Sequence, residues 1–171
     1  MFRKLIAAAT AVAALATISP AIADSGSKIL DRIKERGVIN MGHRESSIPF
    51  SYIGPSGKPI GYSVDICHMF IDKIRGTLKM PNLKINYVPV TSQTRIALMA
   101  NGTIDVECGS TTNNLTRQKQ VDYLAVTFIT GTKLGSKKGS GINEIEDMDG
   151  KVIALSLGTT NEKAVKRVMK A

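Results

Sequence analysis

The sequence predicts an α/β fold with a largely parallel sheet. From residue 38 onward, short β-branched runs ("VINMGHR", "LKINYVPVT", "TIDVECG") alternate with segments of helical period ("SVDICHMFIDKIRGTL", "TSQTRIALMANG"). Strand–helix–strand alternation of this kind lays parallel strands beside their crossover helices. The connecting segments are short and rich in Gly, Ser, Thr and Asn, which is turn and helix-cap chemistry rather than core.

The elements follow in order. "SKILDRIKERG" puts Ile29, Leu30 and Ile33 on one helical face, and Gly37 ends it. "VINMGHR" reads as a strand running into a loop. "SSIPFSYIGPSGKPIGYSVD" reads as a hairpin whose apolar arms flank the turn Gly-Pro-Ser-Gly. In "SVDICHMFIDKIRGTL", Val64, Cys67, Phe70, Ile71 and Ile74 fall at helical spacing, with Ser63 as the expected N-cap. "LKINYVPVT" is a strand, and "TSQTRIALMANG" a helix that begins at Thr91 or Ser92 and stops before Gly102. "TIDVECG" is the next strand.

After residue 122 the texture changes. "YLAVTFITGTKLGSKKGSG" is β-rich and then rich in Gly and Lys, as a crossing strand opening into a turn would be. "INEIEDMDGKVIALSLGTTNEKAVKRVMKA" predicts a short acidic helix, a buried strand, a Gly-Thr-Thr turn and a helix, the start of a second α/β lobe. No internal repeat or low-complexity tract interrupts the pattern.

The N-terminus predicts the compartment. Arg3 and Lys4 precede the uncharged run "LIAAATAVAALATI", and Pro20 with Ala21-Ile22-Ala23 follows. This is the layout of a secretory signal peptide, residues 1–23, cleaved after Ala23. The apolar run is shorter than the roughly 20 residues a spanning helix needs. A mature chain outside the cytoplasm is therefore expected, from Asp24 onward. Its net charge is +7 once Arg3 and Lys4 are removed from the full-chain +9. The basic residues are scattered, without the aromatic-interleaved stripe of a nucleic-acid surface, so no nucleic-acid partner is expected. The chain has two cysteines, Cys67 and Cys108. In an oxidising compartment a disulfide between them is the expectation, and two buried thiols the alternative. His43 and His68 form no ligand-spaced cluster with them, so neither a metal nor a cofactor is expected.

Hydroxyl-rich turns sit at three strand-to-helix junctions: "VTSQTR" (90–95), "GSTTNN" (109–114) and "LGTTNE" (157–162). A fourth junction, "GHRESS" (42–47), carries Arg44. Each turn alone is an ordinary cap. Their recurrence at one edge of an α/β sheet, with Arg44 and Arg95 among them, predicts a site for carboxylates. Guanidiniums make bidentate pairs there, and hydroxyls and helix N-termini add donors. Two guanidiniums suit a small dianion or an amino acid with an acidic side chain. An enzyme on the same scaffold, such as a small-carboxylate dehydratase, would need an acid or base, and only Glu107 and His43 lie beside these motifs.

"GVINMGHRESSIPFSY", "GYSVD", "TSQTRI", "NGTIDVECGSTTNNLTRQKQVD" and "LGTT" resemble the periplasmic solute-binding proteins of polar amino acid ABC transporters, of the family 3 type, and in particular their glutamate/aspartate-binding branch. The resemblance covers essentially the whole mature chain. It implies the type II periplasmic-binding-protein fold, in which two α/β lobes with mixed sheets are joined by crossing strands and close like a hinge on the ligand. It implies a non-enzymatic, monomeric protein that passes L-glutamate or L-aspartate to an inner-membrane ABC permease. It makes Arg44 a ligand-carboxylate contact, Ser92 and Arg95 contacts with Arg95 the α-carboxylate clamp, and Ser110 and Thr112 contacts with Thr111 and the Gly109 backbone nearby. Thr159 and Thr160 would bind from the second lobe. The implied boundaries are 24–125 for the first lobe, 126–137 for the crossing segment and 138–171 for the start of the second. Family members are longer. The remainder of the second lobe, including a histidine and an acidic residue that hold the ligand, and the return segment to the first lobe are expected beyond residue 171. A partial sequence and a truncated, non-functional remnant are both compatible with that length.

Overall fold

The computed structural model describes residues 25–169; the leader expected at residues 1–23 lies outside them. The chain opens with helix α1 (Ser25–Arg36), followed by strand β1 (Val38–His43). Three short strands come next, β2 (Ser46–Ser47), β3 (Ser51–Ile53) and β4 (Pro59–Ile60). Helix α2 (Tyr62–Leu78), strand β5 (Lys84–Pro89), helix α3 (Arg95–Ala100) and strand β6 (Val106–Cys108) complete the regular α/β part. Helices α4 (Leu115–Gln118) and α5 (Thr160–Val168) follow.

The expected parallel sheet forms in the order β5-β1-β6. β1 lies parallel to β5 from Val38↔Lys84 to His43↔Pro89, and parallel to β6 from Met41↔Val106 to His43↔Cys108. Its central place explains why Ile39, Met41 and His43 are all buried. The hairpin region pairs separately as an antiparallel sheet, β2-β3-β4.

The core packs α1 and α2 against one sheet face. Ile33, Ile39, Met41, Val64, Ile71, Ile74, Leu83 and Val106 are buried there, each contributing about 1.5–3 kcal/mol. Cys67 and Cys108 lie in the same cluster and are joined as a disulfide. Fixing that 41-residue separation removes unfolded-chain entropy worth about 4 kcal/mol. A polar anchor closes the opposite end of β6. The fully buried Asp105 carboxylate accepts from Arg32 at 2.9 Å, Arg36 at 2.5 Å and the Asn40 N–H at 2.9 Å.

The structure corrects two cap assignments. Ser63 is not the N-cap of α2; the cap falls two residues earlier, at Gly61 with φ 124°, and the helix begins at Tyr62. The carbonyls of Pro49 and Phe50 accept from the N–H groups of Tyr62 and Ser63. The hairpin thus satisfies the donors a side-chain cap would serve. A Cβ on Gly61 would lie 2.7 Å from those same carbonyl oxygens, so only glycine fits. Likewise α3 starts at Arg95, because Thr91 and Thr94 first close a turn on each other through side-chain-to-backbone bonds of 3.0 and 3.1 Å.

A larger correction concerns residues beyond 122. The crossing segment and "KVIALS" carry no assigned strand, and the described residues beyond 122 have only α5 and a single 3₁₀ turn, Glu146–Met148, where an acidic helix is expected. Val152, read as buried strand, is fully exposed. A strand exists only by pairing its N–H and C=O groups with a neighbour, and the described residues offer this stretch none.

Candidate functional site

The sheet order 5-1-6 means that the chain leaves β1 toward one neighbour and later returns to the other side. Loops beyond the carboxyl ends of the strands diverge at such a reversal and leave a crevice. Three loops of the predicted site leave those ends: Arg44 after β1, Ser92 with Arg95 after β5, and Gly109–Thr112 after β6.

Arg44 is fixed twice. Its N–H donates to Oγ of the fully buried Ser51 at 2.9 Å, and its Nη1 donates to Ser92 Oγ at 2.9 Å. Ser92 and Arg95 are buried at 7% and 3% exposure. The Arg95 guanidinium lies 3.8 Å from Glu107 Oε1, yet neither its Nε nor its Nη1 has a hydrogen-bond partner. Burial lowers the proton affinity of Arg95, while the Glu107 carboxylate restores part of it and Arg117 and Arg44 oppose it. A buried guanidinium with free donors is an unsatisfied group of the most demanding kind.

Gly109 is tightly enclosed. A Cβ there would collide with Glu107 Oε1 and lie 2.9 Å from Arg44 Cγ, while its carbonyl accepts from Ser63 Oγ at 2.7 Å. Ser63, expected as a cap, therefore acts as a prop for this loop.

The "LGTT" turn approaches from the other side. At Gly158 (φ +74°) a Cβ would lie 2.9 Å from Ser92 O, so the turn sits directly against the Ser92–Gln93 backbone. Thr160 Oγ1 meets Thr112 Oγ1 at 3.2 Å. The Thr159 hydroxyl accepts from Glu162 N–H at 3.0 Å and donates to Ser156 O at 2.8 Å, so it is committed to capping α5. Arg117 spans the gap: Nη1 donates to Thr112 O at 2.9 Å and Nη2 to Gly158 O at 3.1 Å.

Arg44, Ser92, Arg95, Ser110, Thr112, Thr159 and Thr160 line one open cleft of about 1360 Å³, larger than the roughly 300–1,000 Å³ of an ordinary closed ligand site. Gly109 and Thr111 instead line a second cavity of about 570 Å³ behind it, and Arg95 borders both. Phe50 contributes an apolar patch to the cleft and stacks edge-to-face with Tyr62 and Phe128. Arg117 escapes the sequence reading because nothing local to "NNLTRQ" marks a residue that reaches across to position 158. Asn114, which caps α4 by accepting from Arg117 N–H at 3.0 Å, is the only nearby signal.

Parallel strands whose exits converge on two guanidiniums and several hydroxyls form one α/β wall of the cleft, with donors of the kind that pair with carboxylates. Residues 39–171 match the profile of the bacterial extracellular solute-binding proteins, family 3, and the chain belongs to that family. It is 49% identical over 158 residues to an L-glutamate/L-aspartate-binding protein of Pseudomonas aeruginosa, covering 92% of this chain and 52% of that one. A glutamate/aspartate import solute-binding protein of Escherichia coli is 42% identical over 162 residues, covering 94% and 54%. The chain thus spans about half the length of the curated relatives it matches. Among solved structures, an ancestral amino acid-binding protein described as a precursor of cyclohexadienyl dehydratase superposes with a TM-score of 0.71 at 26% identity, over 82% of this chain and 61% of that one. An ancestral arginine-binding protein bound to arginine gives 0.63 at 29%, over 79% and 57%. The fold is that of the type II amino-acid-binding proteins, of which this chain covers part.

Proposed function

We propose that this chain supplies the carboxylate-reading wall of an extracytoplasmic receptor for L-glutamate or L-aspartate. The observation that carries it is the buried Arg95 guanidinium, which borders the cleft next to the Arg44–Ser92 pair and is without a full set of hydrogen-bond partners. Arg95 meets the α-carboxylate bidentately and Arg44 the side-chain carboxylate. Ser92, Ser110 and Thr112 donate hydroxyls, with Thr111 and the Gly109 backbone nearby. Thr160 adds a contact from the facing turn, whose helix Thr159 caps. In this reading residues 24–125 form the first lobe, 126–137 the crossing and 138–171 the start of the second. Residues 1–23 direct export to the periplasm, and a monomeric receptor gives its cargo to an inner-membrane ABC permease. The identity to glutamate/aspartate-binding relatives supports the ligand class. The protein is not an enzyme in this reading: of the two candidate acid–base residues, Glu107 borders the cavity behind Arg95 rather than the cleft, and His43 lines neither. Calorimetric titration tests the ligand class. Heat is expected with L-glutamate or L-aspartate, and binding of only a basic or apolar amino acid would sink it.

Arg117 then becomes the brace between the two sides of the cleft. Arg117→Ala is expected to accelerate ligand dissociation about tenfold with little change in association, the loss of two partly exposed charged hydrogen bonds. Stopped-flow displacement measures both rates. An unchanged off-rate would show that the bridge does not help to retain the ligand.

A further inference from the structure

Behind the clamp, two buried polar atoms that make no hydrogen bond to each other stand face to face, Arg95 Nη1 and Glu107 Oε1. Glu107 is 3.8 Å from Arg95, well beyond the 2.7–2.9 Å of a made charge-assisted hydrogen bond. The pair is close enough to attract and too far apart to be satisfied. Glu107 borders the rear cavity, and its carboxylate is pressed beneath Gly109, where even a methyl group would collide with it. It cannot swing into the cleft without displacing that loop, which Ser63 ties down. So Arg95 has a carboxylate on its far side and an open front.

We propose that Glu107 is the positioning residue of the carboxylate clamp: it braces Arg95 from behind and takes up a proton from solvent when a ligand carboxylate pairs with the front of the same guanidinium. Two carboxylates on one buried guanidinium repel each other, and the one that can be neutralised in place is Glu107. The inference rests on the acidic-ligand reading above. The groups that face Glu107 are Arg95 on α3, Arg44 after β1, Arg117 on α4 and Tyr123 in the segment that follows. Asp105 and Asp122 border the same cavity, with Asp105 already held by Arg32 and Arg36. Burial raises the proton affinity of Glu107 above the ordinary carboxylate value, and Arg95, then the Thr111 hydroxyl, then Arg44 and Arg117, oppose it. A ligand that occupies Arg95 weakens its strongest opposing charge. The complex then holds more protons than the free protein in a window above the ordinary carboxylate range. Affinity is fully present below that window and declines as pH rises through it.

Titration of the full protein with L-glutamate, in two buffers of unlike ionisation enthalpy at each pH from the ordinary carboxylate value up to neutrality, tests this, because a proton taken from the buffer adds the buffer's ionisation enthalpy to the heat. A buffer-dependent enthalpy corresponding to uptake of up to one proton is expected, lost in Glu107→Gln and retained in Glu107→Asp. Uptake is diagnostic, since a ligand carboxylate meeting guanidiniums shifts the opposite way and releases protons. Equal heats in both buffers, from the ordinary carboxylate value up to neutrality, overturn the proposal while leaving the ligand reading intact. Undiminished uptake in a folded Glu107→Gln overturns it as well. No heat with L-glutamate in either buffer removes the ligand reading, and this proposal with it. Should Glu107→Gln fail to fold, the wild-type comparison still decides, with the glutamate carboxyl carbon-13 shifts showing whether Glu107 gains the proton.

Discussion

Arg95→Ala is expected to weaken binding of L-glutamate about a thousandfold, some 4 kcal/mol. The size follows from burial. Arg95 is 3% exposed, so a carboxylate brought to it leaves water and depends on that one charge. Arg95→Lys should recover only a minor part, because an ammonium cannot make the parallel pair of hydrogen bonds. Calorimetry or competition binding measures the loss. A change of only a few-fold would mean that Arg95 is structural. Folding should survive the substitution, because Glu107 can neutralise itself. Without Arg95 its carboxyl is raised further, so the native state holds a proton that the unfolded chain has released. Stability then falls as pH rises from the ordinary carboxylate value through the raised one.

The largest effect on stability is expected at Asp105. Its side chain is fully buried, and it is the common acceptor for Arg32, Arg36 and the Asn40 N–H. Asp105→Ala leaves a strand N–H unpaired and two guanidiniums without a partner. Breaking a buried pair costs about 3–5 kcal/mol, and the lower end applies because both arginines keep about a third of their side-chain surface in water. Asp105→Asn keeps an acceptor for Asn40 and should lose about half as much. Urea unfolding of the two variants gives the comparison. Equal midpoints for wild type and Asp105→Ala would show that the α1–β6 anchor contributes nothing.

The two positions show how the sequence informs and where it stops. The helix and strand periods around Ile33, Met41, Val64 and Ile71 place the core directly, because burial of a face is a local pattern. The hydroxyl and arginine turns likewise place Arg44, Ser92, Arg95, Ser110 and Thr112 at one rim, since parallel strands send their exits the same way. Partners distant in sequence are another matter. Arg117 reaching Gly158, Ser63 propping Gly109, and Asp105 held by α1 all depend on which elements meet in space. Ser63 is also the instructive error: a serine before an apolar run is a good cap, but the carbonyls of the hairpin occupy the helix N-terminus first. The stretch 151–156 fails for a related reason, because β propensity without a pairing neighbour makes no strand.

If two guanidiniums read two carboxylates, the protein must separate L-glutamate from L-glutamine. The two ligands share shape and α-carboxylate and differ in the side-chain charge that Arg44 is assigned to meet. Titration of the protein with both is expected to give at least about hundredfold weaker binding of L-glutamine, the cost of leaving Arg44 without its charge partner in the cleft. Affinities equal to within about threefold would contradict the account.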